Sequence, residues 1–252
     1  MQLQDKVAIV TGAARGLGRA YAEAMAGEGA EIVACDINDC SETAAVINAA
    51  GGRAVATVTD IANMASCEAM AEFALQEFGK IDVLVNNAAL YGGLKGGRFE
   101  TLDEGQWDAV MNINVKGLWQ TCKAVVNPMR AAGGGSIINI TSLAAVYGLQ
   151  YGLDYVTSKA AVIGMTRGMA RELGSDNIRV NAVAPSAVLT EGTTEFFGER
   201  LEKAKSAIAA GQIIQRNLET SDLTGTIVYL ASDNSTFVTG QTHMVDGGSW
   251  FL

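Results

Sequence analysis

Short runs of apolar and β-branched residues alternate along the chain with longer segments in which apolar positions recur every three to four residues. The short runs are continuously apolar, which is typical of strands buried on both faces of a sheet. They predict strands over residues 7–11, 31–35, 54–59, 81–85, 136–140, 178–184 and 242–245. The longer segments predict helices over residues 15–28, 41–50, 64–78, 102–129, 154–173 and 223–232.

This regular alternation predicts an α/β fold. Strand–helix–strand units cross over with one hand, so their strands join in a parallel sheet and their helices cover both faces. We therefore expect a single domain over residues 1–252, a Rossmann fold with a doubly wound, seven-stranded parallel sheet. The stretch at about 186–216 lacks such a pattern. Long irregular segments often cover a binding site, and we expect a mobile substrate loop with a short helix there.

The composition narrows the possible functions. The 252 residues include 18 Lys and Arg against 27 Asp and Glu, a formal net charge of −9. Nucleic acids and anionic membranes attract basic surfaces, so we expect neither as a partner. The single histidine, His243, excludes two- and three-histidine zinc sites and is the only residue available to a Ser-His-Asp triad. We expect no metal site, and proton chemistry based on carboxylate, Tyr, Lys or Cys side chains.

The cysteines and the apolar runs bear on the location of the protein. The four cysteines form no Cys-x2-Cys pair, which is typical of reduced thiols. The first residues lack the basic and apolar segments of a secretory leader. No run approaches the roughly 18 apolar residues that a membrane span needs. We expect a soluble, cytoplasmic protein.

A glycine-rich turn joins the first predicted strand to the first predicted helix. Its spacing after Thr11 is Gly-x3-Gly-x-Gly rather than the more common Gly-x-Gly-x2-Gly. Glycine permits a tight turn and a close approach of the backbone to a pyrophosphate, which the helix N-terminus attracts. A tight connection without a ligand is the alternative interpretation. The predicted cofactor-binding residues of this turn are Gly12, Arg15, Gly16, Leu17 and Gly18.

Asp36, at the end of the second predicted strand, indicates NAD as the cofactor. An acidic residue here accepts hydrogen bonds from the adenosine ribose and repels the 2′-phosphate of NADP. Arg15 favours NADP instead, because its guanidinium can pair with that phosphate. We give Asp36 more weight, since it lies where the ribose is expected. Other strand-end residues expected beside the cofactor are Asp60, Ile61, Asn87 and Ala88.

Tyr155 and Lys159 are four residues apart on a predicted helix and therefore lie on one of its faces. A free Tyr has a pKa of about 10, too high for a base near neutrality, but a neighbouring ammonium lowers that pKa. A Tyr so tuned can exchange a proton with an alcohol or a ketone. The same spacing is common on helix surfaces. Ser142, at the end of the preceding strand, adds a hydroxyl that can hold the substrate oxygen beside the phenol.

Together these motifs resemble the short-chain dehydrogenase/reductase family over essentially the whole chain. The matching motifs are the glycine-rich turn, Asn86-Asn87-Ala88, Asn114, Ser142, Tyr155-x3-Lys159 and Pro185. The resemblance implies that Tyr155 is the general acid/base, that Lys159 lowers its pKa and binds the nicotinamide ribose, and that Ser142 orients the substrate oxygen. It also implies that Asn114 holds a water in the proton relay, with Asn112 as the rival position.

The resemblance extends to the strand end near residue 185 and to the C-terminus. It implies that the Val188 backbone and the Thr190 hydroxyl bind the nicotinamide carboxamide beside Pro185. It also implies a homotetramer built partly on the C-terminal tail. Two residues depart from the family pattern, because Ala89 and Ser186 replace glycines beside the expected cofactor. They can narrow the site but leave the reactive groups intact.

The expected activity is the NAD(H)-dependent interconversion of a hydrophobic or aromatic secondary alcohol and its ketone by hydride transfer. The run through Pro185 resembles that of 1-phenylethanol-type alcohol dehydrogenases. The predicted substrate-contacting residues are Leu94, Leu143, Val146, Tyr151, Phe196 and Phe197. One alternative is an NADPH-dependent 3-oxoacyl-carrier-protein reductase, which Arg15 favours and the acidic chain opposes. Another is an NAD-binding redox sensor without turnover, which the complete set of reactive residues disfavours.

Overall fold

Parallel strands form one sheet at the centre of the computed structural model, which describes residues 1–251 apart from the side chain at position 200. The strands are β1 (Val7–Thr11), β2 (Glu31–Asp36), β3 (Arg53–Val58), β4 (Val83–Asn86), β5 (Gly135–Ile140), β6 (Ile178–Pro185) and β7 (Thr242–Val245). Their order across the sheet is β3-β2-β1-β4-β5-β6-β7. Every neighbouring pair is parallel. The predicted doubly wound, seven-stranded fold is confirmed.

The helices lie between the strands, largely where the sequence predicts them. They are α1 (Gly16–Gly27), α2 (Ser41–Ala49), α3 (Met64–Phe78), α4 (Glu104–Met111), α5 (Leu118–Ala131), α6 (Ala144–Tyr147), α7 (Leu153–Leu173), α8 (Glu191–Phe197), α9 (Leu201–Ala210) and α10 (Ser221–Ala231). The predicted helix at 102–129 is α4 and α5 joined by a π-helical turn, Asn112–Gly117. The stretch 186–216 holds two helices, α8 and α9, where the sequence predicts one short helix.

Two apolar layers cover the two faces of the sheet. Alternate side chains of β1 enter different layers: Ala8 and Val10 belong to the first layer, and Ile9 belongs to the second. The first layer contains α1, α2 and α10, through residues such as Tyr21, Met25, Ile47, Ile227 and Leu230. The second contains α3, α5 and α7, through residues such as Met70, Val125, Met129, Val162 and Leu173. Burial on both faces explains why the strands are continuously apolar.

The order in which strands are added to the sheet reverses at β1, which pairs with β2 on one side and with β4 on the other. In open α/β sheets the crevice at such a switch point, outside the carboxyl ends of the strands, is where ligands bind. The topology therefore brings the ends of β1, β4, β5 and β6 to one edge. No helix in the described part of the chain is both long and apolar enough to cross a membrane.

Candidate active site

The glycine-rich turn after β1 is closed by packing that only glycine permits. Gly12 has a φ of 67°, and a Cβ there would lie 2.8 Å from the Ala88 Cα. A Cβ on Gly18 would lie 2.1 Å from the Gly12 carbonyl oxygen. The turn thus lies directly against the end of β4. Gly16 and Leu17, in the first turn of α1, line the crevice, and the first backbone N–H groups of a helix, which have no partner within it, are suited to bind a pyrophosphate.

Asn87 fastens the end of β4 to this turn. Its side-chain nitrogen donates to the carbonyl oxygens of Thr11 at 3.0 Å and of Gly12 at 3.1 Å. The Thr11 hydroxyl accepts hydrogen bonds from the backbone N–H groups of Asn87 and Ala88, each at 3.0 Å. The sequence does not predict that the Thr11 hydroxyl binds the end of β4. The available signal is the position of Thr11 directly before the first glycine of the turn.

Asp36 lies at the end of β2 with its carboxylate against the same turn. It accepts hydrogen bonds from the Ala14 backbone N–H at 3.3 Å and from the Asn38 backbone N–H at 3.0 Å. It lines the crevice together with Asp60 and Ile61 from the end of β3. The structure therefore brings together the residues that the sequence predicts for the adenosine end of a dinucleotide.

Asn114 lies in the π-helical turn between α4 and α5 and is buried. Its side chain accepts from the Leu90 N–H at 2.7 Å and donates to the Leu90 carbonyl oxygen at 3.1 Å. It also donates to the Ser158 hydroxyl at 3.1 Å. Single π turns often mark functional sites, since the extra residue redirects a side chain. Here the redirected amide ties the segment after β4 to α7.

Ser142, Tyr155 and Lys159 meet at the crevice, from the end of β5 and from one face of α7. The Lys159 ammonium donates to the Ile140 carbonyl oxygen at 2.9 Å and lies 5.9 Å from the centre of the Tyr155 ring. All three residues line the same cleft. The set predicted to carry the chemistry is thus assembled, with Asn114 behind it through Ser158.

The protonation of this set differs from the expectation that Lys159 lowers the pKa of Tyr155. Burial raises the pKa of Tyr155 to about 12, and the neighbouring Ser142 hydroxyl offsets only part of this rise. Burial also lowers the pKa of Lys159 to about 8. The reason is that both charged forms lose hydration in the crevice, and this loss outweighs the attraction between phenolate and ammonium.

The end of β6 closes the crevice on the side opposite Asp36. Pro185, Val188 and Thr190 all line it. The Val188 carbonyl oxygen accepts from the Thr193 hydroxyl at 2.5 Å, which anchors the start of α8. Ser186, which replaces the expected glycine, donates through its hydroxyl to the Gln212 side-chain oxygen at 3.1 Å, while Ala89 also lines the crevice.

The walls beside Tyr155 are aromatic and apolar. Tyr91 packs on Tyr155 with ring centres 5.1 Å apart and stacks on Phe196 at 4.8 Å. Phe197 contacts Phe196 edge to face at 5.2 Å. The whole cleft has a volume of about 760 Å³. Its apolar walls at this end are Leu90, Tyr91, Leu143, Tyr147, Leu149, Phe196, Phe197 and Ile208.

Three of the six predicted substrate-contacting residues lie outside the lining of this cleft: Leu94, Val146 and Tyr151. Tyr151 has a φ of 66° and an exposed ring, and its carbonyl oxygen accepts from the Gly97 N–H. Leu94 lies in a turn in which its N–H donates to the Tyr91 carbonyl oxygen. Val146 lies in α6, where its N–H donates to the Leu143 carbonyl oxygen. Tyr91 and Tyr147 take their place. Tyr91 lies three residues after the Asn-Asn-Ala motif, and this proximity is the sequence signal for its place in the substrate wall.

These residues fit a nicotinamide dinucleotide. The cradle has a glycine-rich turn at a helix N-terminus for the diphosphate and a carboxylate at one end for a ribose. At the other end it holds Ser142, Tyr155 and Lys159 beside an apolar chamber. Its volume lies within the usual range of ligand sites. Within residues 1–251, no group of three or more His, Cys, Asp or Glu side chains is placed to hold a metal ion.

Fold and site together define a nucleotide-dependent oxidoreductase. A family model described as enoyl-(acyl carrier protein) reductase matches residues 12–249. The 3-oxoacyl-acyl-carrier-protein reductase of Thermotoga maritima is 38% identical over 98% of this chain and 99% of its own. D-threitol dehydrogenase of Mycolicibacterium smegmatis is 37% identical over 98% and 94%. The chain belongs to the short-chain dehydrogenase/reductase family and is an enzyme that acts on alcohols or ketones.

Solved structures agree with this assignment. Carveol dehydrogenase from Mycobacterium avium, solved in complex with NAD, superimposes with a TM-score of 0.93 and is 30% identical, covering 98% of both chains. Members of this family bind NAD or NADP. The relatives differ in the substrates they are named for, so the pocket of this chain has to indicate its own.

Proposed function

We propose that the protein is an NAD(H)-dependent oxidoreductase that interconverts a hydrophobic or aromatic secondary alcohol and its ketone. One observation carries the proposal: the Tyr91–Phe196–Phe197 wall lies against Tyr155. The same cleft holds the Asp36 carboxylate at its far end. A substrate that reaches the Tyr155 hydroxyl therefore meets aromatic rings, and an apolar substituent would exclude water from them.

The reactive groups of the chain supply proton transfer and orientation. In alcohol oxidation, Tyr155 accepts the hydroxyl proton while Ser142 donates a hydrogen bond to the same oxygen. Lys159 holds the ribose and, as an ammonium, favours the phenolate. Asn114 positions the water that passes the proton to solvent. A nicotinamide held in this crevice would supply the hydride acceptor for alcohol oxidation and the hydride donor for ketone reduction.

The preference for NAD rests on Asp36. Its carboxylate favours ribose hydroxyls and repels a 2′-phosphate. The cofactor would lie along Gly12, Gly16, Leu17 and Gly18, pass Asp60, Ile61, Asn87 and Ala88, and end at Pro185, Val188 and Thr190. The Val188 backbone and the Thr190 hydroxyl would hold the carboxamide and so set the face of the ring that reacts.

The proposed substrate is small and apolar rather than a polyol. Of the residues predicted for this role, we retain Leu143, Phe196 and Phe197, and we add Tyr91 and Tyr147. A polyol would leave its hydroxyls without partners against these walls, which costs free energy. The resemblance of the fold to carveol dehydrogenase supports the choice, whereas the similarity to D-threitol dehydrogenase favours the polyol.

The second candidate is an NADPH-dependent 3-oxoacyl-carrier-protein reductase. The 38% identity to the Thermotoga maritima enzyme favours it. Two observations oppose it: the Asp36 carboxylate at the ribose end, and the formal net charge of −9, since the acidic carrier protein docks on a basic surface.

We further propose that the enzyme is a cytoplasmic homotetramer, as the family resemblance implies. The four cysteines are free and buried, which suits a reducing compartment. Strand β7 forms an edge of the sheet, and Trp250 and Phe251 beyond it are exposed. Apolar surface of this kind is typically covered by another subunit.

A substrate panel tests the proposal. We expect turnover of aromatic and cyclic secondary alcohols with NAD, and kcat/KM at least about tenfold lower with NADP or with sugar alcohols. A 3-oxoacyl thioester reduced with NADPH faster than any ketone is reduced with NADH would favour the second candidate. An absence of NAD-linked turnover of every hydrophobic secondary alcohol at alkaline pH would refute the proposal.

The Tyr155→Phe variant separates an enzyme from an NAD-binding sensor. It keeps the ring packed on Tyr91 but removes the acid/base, so kcat should fall by at least about 10²-fold. NADH binding, measured by nucleotide fluorescence, should be retained. Tyr229→Phe, on the half-exposed side of α10, is the matched control and should keep full activity. Unchanged turnover in Tyr155→Phe would contradict the assigned role.

A further inference from the structure

Arg15 is paired with a carboxylate from a distant part of the chain. Its two terminal guanidinium nitrogens donate to the two oxygens of Glu195, at 2.6 Å and 3.1 Å. Glu195 belongs to α8 and is 180 positions away in sequence. The pair is bidentate, which is the strongest geometry for an Arg–carboxylate interaction. It holds the charges of both side chains in place, although both remain partly exposed to solvent.

The position of Arg15 makes this pairing relevant to the cofactor. Arg15 precedes α1 within the glycine-rich turn, and its neighbour Ala14 donates its backbone N–H to the Asp36 carboxylate. Besides the hydrogen-bonded Glu195, the Asp36 carboxylate is among the charges that raise the pKa of Arg15, so the guanidinium lies within electrostatic reach of the ribose end of the crevice. A 2′-phosphate placed there would be the other ligand for the same two nitrogens, because guanidinium matches phosphate as well as carboxylate.

The surroundings are shaped to hold Glu195 at this place. A Cβ on Gly92 would lie 2.2 Å from one Glu195 carboxylate oxygen, so the glycine leaves the space that the carboxylate occupies. Glu191, one turn earlier on α8, reaches the other side of the turn: its carboxylate oxygen is 3.6 Å from the Cβ position of Gly16. Contact with Arg15 also keeps the pKa of Glu195 below its ordinary value, so the carboxylate stays ionised.

We propose that Glu195 is a specificity-determining residue that disfavours NADP(H) by occupying the guanidinium of Arg15. The inference rests on the proposed NAD preference and deepens it. Asp36 repels a 2′-phosphate, and Glu195 withdraws the cation that would otherwise attract it. Arg15 thereby serves to hold α8 over the glycine-rich turn rather than to bind the 2′-phosphate of NADP(H).

Equilibrium binding of NADH and NADPH, followed by nucleotide fluorescence without substrate, tests this proposal. In Glu195→Gln the guanidinium is released, and the Kd for NADPH should fall by about fivefold or more while the Kd for NADH changes by less than about twofold. In Arg15→Ala/Glu195→Gln the gain in NADPH binding should disappear. Glu199→Gln removes the same charge from the exposed turn after α8 and should leave both Kd values unchanged.

Two outcomes would overturn the proposal. One is a ratio of the two Kd values in Glu195→Gln that stays within about twofold of the parent protein. The other is a gain that persists without Arg15, which would show simple relief of negative charge instead of a freed guanidinium. If the parent protein itself binds NADPH more tightly, the proposed NAD preference fails. The effect of Glu195→Gln relative to that parent still decides the role of Glu195.

Discussion

Tyr155 and Lys159 have pKa values displaced in opposite directions by the same cause. Burial disfavours the phenolate of Tyr155, raising its pKa to about 12, and disfavours the ammonium of Lys159, lowering its pKa to about 8. At neutral pH the pair is therefore a phenol beside an ammonium. This state is ready to give a proton to a ketone, whereas oxidation of an alcohol first requires the loss of a proton.

A pH–rate profile in both directions should reveal this asymmetry. Because the pKa of Tyr155 is raised, the phenolate fraction grows with pH, and kcat/KM for alcohol oxidation should rise from about pH 7, less steeply above about pH 8, where Lys159 loses the charge that favours the phenolate. Ketone reduction uses the protonated phenol and should be level near neutrality, then decline as pH increases. Oxidation that is fastest below about pH 6.5 would contradict this assignment of the base.

Single residues were predictable where the helix or the turn fixes their geometry. The i, i+4 spacing of Tyr155 and Lys159 placed both on the crevice side of α7, and the glycine spacing placed the turn. The contacts of Asn114 with Leu90 and of Arg15 with Glu195 were not predictable. They join segments far apart in sequence, and no local pattern records which partner a polar side chain will meet. The same applies to Tyr91, which entered the substrate wall in place of Tyr151.

At the scale of elements, α1 illustrates how one helix contains glycines with opposite roles. Gly18 lies where the helix passes the carbonyl oxygen of Gly12, and no side chain fits. Gly27 lies at the other end of α1, where a Cβ would meet no atom of the described residues within 4 Å apart from its chain neighbours and the backbone of its own helix. One glycine is required by the approach of helix and turn, and the other only adds flexibility to the unfolded chain.

Alanine at these two positions should therefore have opposite effects. Gly18→Ala forces the turn apart, so we expect a loss of about 1–3 kcal/mol in the free energy of unfolding and a large loss of NADH affinity. Gly27→Ala should stabilise the protein by about 0.5–1 kcal/mol with unchanged binding. Denaturant unfolding and NADH titration of both variants measure this contrast. Equal effects would show that the clash at Gly18 is relieved elsewhere.

The strands and most helices were predictable because burial on two faces leaves a continuous apolar signature, and amphipathic helices leave a periodic one. The helices α8 and α9 were less predictable, since the sequence predicts only one short helix in this stretch. No apolar side chain of α9 among those described is buried, and α8 buries only Thr193. The apolar positions of α9, which include Ala204, Ala207 and Ile208, do recur at helical spacing but line the cleft instead of the core, and α8 spans only seven residues, too few for a clear period. The π turn at Asn112–Gly117 is likewise invisible, since its sequence reads as ordinary helix.

At the scale of the whole molecule, acidic charge and exposed apolar residues occur together. The formal net charge is −9, while Trp119, Phe237, Trp250 and Phe251 are all exposed. The edge strand β7 also carries His243, whose side-chain Nε2 finds no hydrogen-bond partner among the described residues. Burial lowers the pKa of His243, so this residue is neutral at physiological pH. A neutral edge next to apolar residues suits contact with another copy of the chain.

Light scattering after size-exclusion chromatography tests the proposed assembly. We expect a particle of four chains of 26.3 kDa each, unaffected by moderate salt because apolar burial drives the contact. Phe251→Ser changes an exposed residue after β7 and should weaken assembly. Phe99→Ser changes an equally exposed residue just before α4 and serves as the control. A parent protein that elutes as a monomer at micromolar concentration would refute the tetramer.

The packing of α10 against α1 has a consequence for how the protein is made. The layer that covers one sheet face joins Leu3, Tyr21 and Met25 to Ile227 and Leu230. During synthesis the first helix therefore leaves the ribosome with its apolar side uncovered, and its partner follows only after some 200 further residues. Parallel sheets with such distant pairings fold slowly, and their unfinished forms tend to aggregate. The nascent chain should thus expose the apolar side of α1 until α10 has been synthesised.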